Sequence, residues 1–220
     1  LLVQRVPERV RTALNPGAQA RVKNPDCVEI RFVTSGERVS VTLSAEGPVK
    51  MLPFWGDFPA MEAVPIETKP TPIELTYPER LSGLPNNAAG SSRFDRSVWR
   101  LQFTGRSGNV YYHGVDGKAL APPPSELCPA ETLLTYGTSI THGSAATLAY
   151  LSYAYQTARL LGKDLINLGV GGSCHAEKEF ADYIAEMPEW DTAVLALSVN
   201  MIGAGFTKEQ FAERVGYMVD

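Results

Sequence analysis

The stretch LLTYGTSITHGSAAT, residues 133–147, decides how the rest of the chain is read. A short, mostly apolar run, Leu133 to Tyr136, stops at Gly137; Ser139 follows, and after it comes a pattern of helical period with Leu148, Leu151, Tyr155 and Ala158 near one face. A strand that ends abruptly and hands a hydroxyl to the mouth of a sheet is one way a fold displays a nucleophile. A serine that merely caps a helix gives the same local sequence. The spacing is not that of the G-x-S-x-G elbow, because Thr141 stands at the second glycine position.

The same rhythm repeats twice downstream. KDLINLGV (163–170) reads as a second buried strand, and HAEKEFADYIAEM (175–187) as an amphipathic helix with Phe180 and Ile184 at i, i+4. DTAVLALSV (191–199) is a third strand, and TKEQFAERVGYMV (207–219) a third helix with Thr207 as its cap. Strand and helix in alternation predict right-handed crossovers and a parallel sheet covered on both faces. In such sheets the reactive edge lies beyond the carboxyl ends of the strands.

Upstream the period changes to that of strands. CVEIRFVTS (27–35) places Val28, Ile30 and Phe32 on alternate positions, and ERVSVTLSA (37–45) does the same with Val39, Val41 and Leu43, which predicts a hairpin across Ser35-Gly36. Further short runs at VKMLPFW, TPIELTY, SVWRLQFTG and NVYYHGVDG are separated by turn residues, and only PERVRTAL near the start reads as helix. The expected architecture is α/β: a jelly-roll-like β-sandwich over residues 1–125, then a partial flavodoxin-like parallel sheet over 126–220, with the proline-rich LAPPPSELCPAE as the linker.

Composition narrows the function. With a formal charge of −4, the chain has no basic field to hold a phosphate backbone or an anionic bilayer, so neither nucleic acid nor membrane is an expected partner. Cys27, Cys128 and Cys174 are odd in number and widely spaced, which predicts free thiols and no paired metal-ligand spacing. The opening LLVQRVPERVRTALNPG has no long apolar core or small-residue cleavage site, so it is not an intact signal peptide; this points to the cytoplasm, with secretion after loss of a leader as the alternative.

The three strand ends carry the chemistry. Ser139 follows the first. Asn167, Gly169, Gly171 and Gly172 crowd the second, where glycines let another backbone or a ligand come close, although the dinucleotide pattern G-x-G-x-x-G fails at Cys174. Asn200 lies just beyond the third, where an amide can donate to a developing negative charge. In combination, YGTSITHG, NLGVGGS and LSVNM resemble the first three blocks of the SGNH, or GDSL-type, hydrolases. The resemblance implies a flavodoxin-like fold, a serine acyl-enzyme on Ser139 and an oxyanion hole built from the Ser139 and Gly172 N–H groups and the Asn200 side chain. It implies no metal or organic cofactor, and a small-molecule or carbohydrate ester as substrate. The strand-rich first half is similar to the β-sandwich that precedes the hydrolase domain in some bacterial and fungal esterases of this group.

Three positions depart from the pattern. Thr138 stands in place of aspartate and Ser198 in place of glycine, neither being a position that performs chemistry. The D-x-x-H block, which in the resemblance supplies the base, does not occur; the expectation is that it lies beyond residue 220, in a longer polypeptide. Of His113, His142 and His175, the last two are placed close enough in sequence to line the pocket, but they read as surface polar residues, and His113 as a loop or interface residue. Two other classes fit parts of the chain. One is a non-catalytic carbohydrate-binding protein or pseudoenzyme using Trp55, Trp99, Tyr111 and Tyr112 as aromatic platforms, and the other a nucleotide-binding domain.

Overall fold

The computed structural model describes residues 1–84, 93–105 and 107–220. Strand β1 (Leu2–Val3) precedes two short helices, α1 (Glu8–Arg11) and α2 (Pro16–Arg21). There follow β2 (Glu29–Phe32), β3 (Arg38–Glu46), β4 (Lys50–Trp55), β5 (Phe58–Pro59), β6 (Val64–Pro65), β7 (Thr71–Thr76), the helical turn α3 (Glu79–Ser82), β8 (Trp99–Thr104) and β9 (Asn109–Gly117). These strands form two antiparallel sheets, in the orders β1-β9-β3-β7 and β2-β8-β4-β5, with β6 paired to β4. Alternate side chains from both sheets, among them Val41, Leu43, Met51, Trp99, Leu101, Phe103 and Val110, fill one core.

The expected hairpin across Ser35-Gly36 does not form. β2 pairs with β8, and β3 pairs with β7 and β9, so the two runs lie in different sheets. The connecting segment is captured instead by residues 118–121: Val33 bridges Ala121, and the Ser35 N–H and the Thr34 hydroxyl both donate to the Lys118 carbonyl. Two strands facing each other across a sandwich satisfy the same apolar alternation as two strands of a hairpin, so periodicity alone did not separate them.

The second half comprises β10 (Thr132–Gly137), α4 (Ser139–His142), α5 (Tyr153–Leu160), β11 (Asp164–Gly169), α6 (Lys178–Glu186), β12 (Thr192–Ala196), α7 (Val199–Gly203) and α8 (Lys208–Val219). The strands are parallel in the order β11-β10-β12, the arrangement expected of a flavodoxin-like start. The helix after Ser139 is shorter than its sequence pattern predicts: residues 149–151 form one 3₁₀ turn, Ser152 caps α5, and Leu151 is exposed. Thr207 caps α8 through a reciprocal capping box with Gln210.

Chain order and cores do not coincide. Val6, Val10, Leu14, Ala18 and Val22, which lie between β1 and β2, are buried with Leu134, Tyr136, Leu168, Val170, Phe180 and Ile184 of the parallel-sheet layer. Residues 6–22 therefore pack one face of the parallel sheet alongside α6.

Charged groups join the two layers. The Arg100 guanidinium, 1% exposed, donates to both Glu29 oxygens at 2.8 and 2.6 Å, and Arg31 bridges Glu29 to Asp164 of β11. Arg93 and Arg100 both reach the Tyr155 hydroxyl of α5, at 2.9 and 3.1 Å. Burial opposes ionisation of Glu29, but Arg100 and Arg31 outweigh it and hold its carboxyl well below the usual range.

Two outcomes follow from this architecture. Glu29→Gln leaves the buried Arg100 with only the 3.2 Å contact to Asp57 as counter-charge and is expected to cost about 3 kcal/mol in urea unfolding; a loss below 1 kcal/mol would contradict the pairing. Ser198, which ends the β12 segment, has φ of +109°, a region that costs an L side chain strain and glycine little. Ser198→Gly is expected to stabilise by about 1 kcal/mol, and Ser198→Ala to give no gain in the same assay.

Candidate active site

The parallel register brings the three sequence blocks side by side. Gly137 at the end of β10 pairs with Gly169 of β11 on one side and Ala196 of β12 on the other, so Ser139, the 170–174 turn and Asn200 all emerge from one edge of the sheet. Ser139 opens α4 and is half-buried, with no hydrogen bond from its hydroxyl to any described residue.

Missing side chains permit the close approach. A Cβ on Gly169 would sit 2.2 Å from the His142 backbone nitrogen, and one on Gly137 would meet the Thr141 hydroxyl, so α4 is seated directly on the ends of β10 and β11. A Cβ on Gly171 would begin 3.4 Å from Ser139 Cβ and 3.5 Å from His142 Nδ1, which places the glycine turn against the serine. Gly172, at φ of +74°, is exposed, and open space lies where a Cβ would point.

Three donors at this edge have no acceptor among the described residues: the Ser139 N–H, the Gly172 N–H and the Asn200 Nδ2. The Asn200 carboxamide is oriented, because its Oδ1 accepts the Cys174 N–H at 3.2 Å and its NH₂ is thereby left for another partner. Asn200 lies in the first turn of α7, a helical turn that the sequence pattern did not reveal.

Supporting residues hold this edge, and two of them, Arg5 and Asn15, were missed by sequence reasoning. Asn167 is a clamp: its Nδ2 donates to the Thr141 carbonyl at 2.8 Å, and its Oδ1 accepts the Gly169 N–H at 2.9 Å. From the N-terminal segment, Arg5 donates to the Gly169 and Asn167 carbonyls, and burial lowers its pKa to about 10. Asn15 caps α2 and reaches the Ser173 carbonyl, while its own N–H donates to Glu177. The only signals for these two were an Asn before Pro16 and an arginine in the opening segment, both common in ordinary loops.

The histidines are not where the sequence put them. His142 is buried, 1% exposed, with Nε2 3.4 Å from Asp26 Oδ2. It is not a surface residue, because α4 is too short to carry its far end into solvent. His175 is half-buried, its ring against Phe206 and its Nδ1 3.4 Å from Asn15 Nδ2. His113 lies within β9, neither on a loop nor at the interface, and its Nε2 is 2.9 Å from the Ser44 hydroxyl. None of the three is hydrogen-bonded to Ser139.

Burial, with Arg5 and Arg21 adding to it, lowers the His142 pKa to about 2 from an ordinary 6.5. Below pH 6.5 the unfolded chain takes up a proton that the folded chain refuses, so this group withdraws stability as pH falls, at up to about 1.4 kcal/mol per pH unit. His142→Gln is therefore expected to flatten the pH dependence of unfolding free energy between pH 6.5 and 4.5 relative to wild type. Parallel slopes for the two proteins in denaturant titrations would contradict a neutral, buried His142.

Residues 130–220 match the model of the GDSL-like Lipase/Acylhydrolase family. Comparison with curated proteins finds no match. Among solved structures, the salicylyl-acyltransferase SsfX3 from a tetracycline biosynthetic pathway is similar over 98% of this chain and 60% of its own, with 18% identity and a TM-score of 0.74. A family two carbohydrate esterase from Clostridium thermocellum in complex with cellohexaose is similar over 87% of this chain and 65% of its own, at 17% identity and a TM-score of 0.54. A family two carbohydrate esterase from Cellvibrio japonicus is similar over 100% of this chain and 72% of its own, at 15% identity and a TM-score of 0.58. The chain thus spans less than two thirds of the first two, and at these identities the likeness is one of fold, shared across sandwich and parallel sheet alike. The family match is confined to residues 130–220, the parallel-sheet half that carries Ser139, Gly172 and Asn200.

Proposed function

We propose that the protein is a serine ester hydrolase acting on a small-molecule or carbohydrate ester through an acyl-enzyme on Ser139. The Ser139 oxygen attacks the ester carbonyl and the resulting oxyanion is met by the Ser139 and Gly172 N–H groups and by Asn200 Nδ2. The bond to the alcohol oxygen then breaks, the alcohol leaves with a proton, and water releases the acid and regenerates the serine. The reading assigns the base to none of the three histidines, since their ring contacts lie elsewhere.

One observation carries this reading: three hydrogen-bond donors from three adjacent strand ends, all lacking acceptors among the described residues, grouped at one sheet edge with a half-buried serine hydroxyl. A cap serine would have its hydroxyl turned onto the helix N–H groups, and α4 has no side-chain cap bond. The carbohydrate ester is favoured within the substrate class because two carbohydrate esterases share the fold over most or all of this chain. The reading as a binding module is disfavoured by Trp55 and Trp99, which are buried against each other and Tyr77 in the sandwich core and offer no platform to a sugar.

A fluorophosphonate probe is expected to label the wild-type protein at one site and to leave Ser139→Ala unlabelled. Equal labelling of the two would overturn the assignment. Asn200→Ala is expected to lower kcat/KM for an aryl acetate by about 10²–10³, with most of the loss in kcat. A change confined to KM would remove Asn200 from the oxyanion site.

A further inference from the structure

The buried pair Asp26–His142 lies outside the reaction just described, yet it is built into the same few ångströms. Asp26 sits between α2 and β2, and both side chains are 2% exposed. Asp26 Oδ1 accepts the Gly105 N–H, which ties it to the end of β8, while Oδ2 lies 3.4 Å from His142 Nε2 without the alignment of a hydrogen bond. On the other side of the ring, Nδ1 faces Gly171, and Ser139 Cβ lies on that same face of the glycine. Arg5 and Arg21 are the other charged groups that bear on the ring, and both disfavour its protonation.

A neutral imidazole carries one proton, and the structure constrains where it goes. The negative charge of the carboxylate oxygen nearest Nε2 favours the proton on Nε2, which leaves Nδ1 bare toward Gly171. An N–H at Nδ1 would compete for any acceptor drawn to this turn, whereas a bare nitrogen leaves the Gly172 N–H and the Ser139 N–H as the donors there. The ring stands beside Ser139 on the face of Gly171 that a Cβ would occupy, so it sets how closely the turn can approach α4.

We propose that Asp26 and His142 are positioning residues: the carboxylate fixes the imidazole as its Nε2–H tautomer, and the ring braces the Gly171-Gly172 turn at its working distance from Ser139. The proposal rests on the reading of Ser139 as nucleophile for its catalytic consequence. The brace itself is a statement about tautomer and turn and stands apart from that reading.

Two measurements test it. In ¹⁵N NMR of the intact wild-type protein, His142 is expected to show a protonated Nε2 and a bare Nδ1. Asp26→Asn keeps an acceptor for Gly105 but turns a donor toward Nε2, and is expected to move the proton to Nδ1. A purely structural aspartate would leave the tautomer unchanged, and that result overturns the proposal. In the second measurement, His142→Ala is expected to slow fluorophosphonate labelling of Ser139 by about 10- to 100-fold and to speed amide exchange at Gly171 and Gly172, with His142→Gln, whose amide can replace Nε2–H, recovering most of both. If His142→Ala melts, the Gln variant and the Asp26→Asn tautomer decide. Wild-type exchange and labelling in His142→Ala would overturn the brace. If the wild type itself is not labelled, the hydrolase reading fails, while the tautomer and exchange results still decide the brace.

Discussion

The constraint on which the rest depends is the contact between the backbone of α4 and the ends of β10 and β11. α4 is a single helical turn, too short to be stable by its own hydrogen bonds. It persists because nothing stands at Gly169 or Gly137 to hold it off, and because Asn167 fastens its Thr141 carbonyl to β11. Any side chain at Gly169 would enter the position of the His142 nitrogen, and the turn carrying Ser139 would have to lift from the sheet. The placement of the serine hydroxyl is therefore a consequence of absent atoms as much as of present ones.

That contact is supported from an unexpected direction. The N-terminal segment supplies Arg5 to the carbonyls of Asn167 and Gly169, Asn15 to the 173–177 loop, and five buried apolar residues to the sheet face beneath. Asp26 continues the line to His142. The sandwich then locks the opposite edge of the same layer, through Arg31 to Asp164 and through Arg93 and Arg100 to Tyr155. A chain read in order would divide into a sandwich and a parallel-sheet unit, yet the segment from Arg5 to Val22, between β1 and β2, serves the second of these. Apolar burial accounts for most of the cohesion within each core, while the link between layers combines Phe54 against Tyr150 and Tyr155 with a largely buried ion-pair network, the part most sensitive to loss of one partner.

What the sequence made legible was whatever depends on local period and on residue type at strand ends. The strand-turn pattern around Tyr136-Gly137, Leu168-Gly169 and Leu197-Ser198 sufficed to place the parallel sheet and to bring Ser139, Gly172 and Asn200 to its edge. The failures are of two physical kinds. Val28–Phe32 and Val39–Leu43 alternate identically whether they pair with each other or face each other, so the sandwich topology was invisible to alternation. His142 looked like a helix-surface residue because its burial is conferred by Asp26, 116 positions away in sequence, and by a helix that stops after one turn. Arg5 and Asn15 are long-range partners of the same kind, with no local signature at all.

Ser198 shows how such non-local demands are recorded in a single residue. The chain must turn sharply from β12 into α7 so that Asn200 faces the same edge as Ser139, and it does so through a φ of +109° at a residue with a side chain. A substitution of one atom group away from glycine is tolerated because the turn is over-determined from both sides: Gly137 abuts Ala196, and the Cys174 N–H holds the Asn200 carboxamide. Strain at this point is consistent with a local structure selected for where it puts an amide, since a relaxed turn would have cost less and delivered Asn200 elsewhere. The same reasoning separates Thr138, the other departure from the family pattern, whose backbone is extended and carries no such cost.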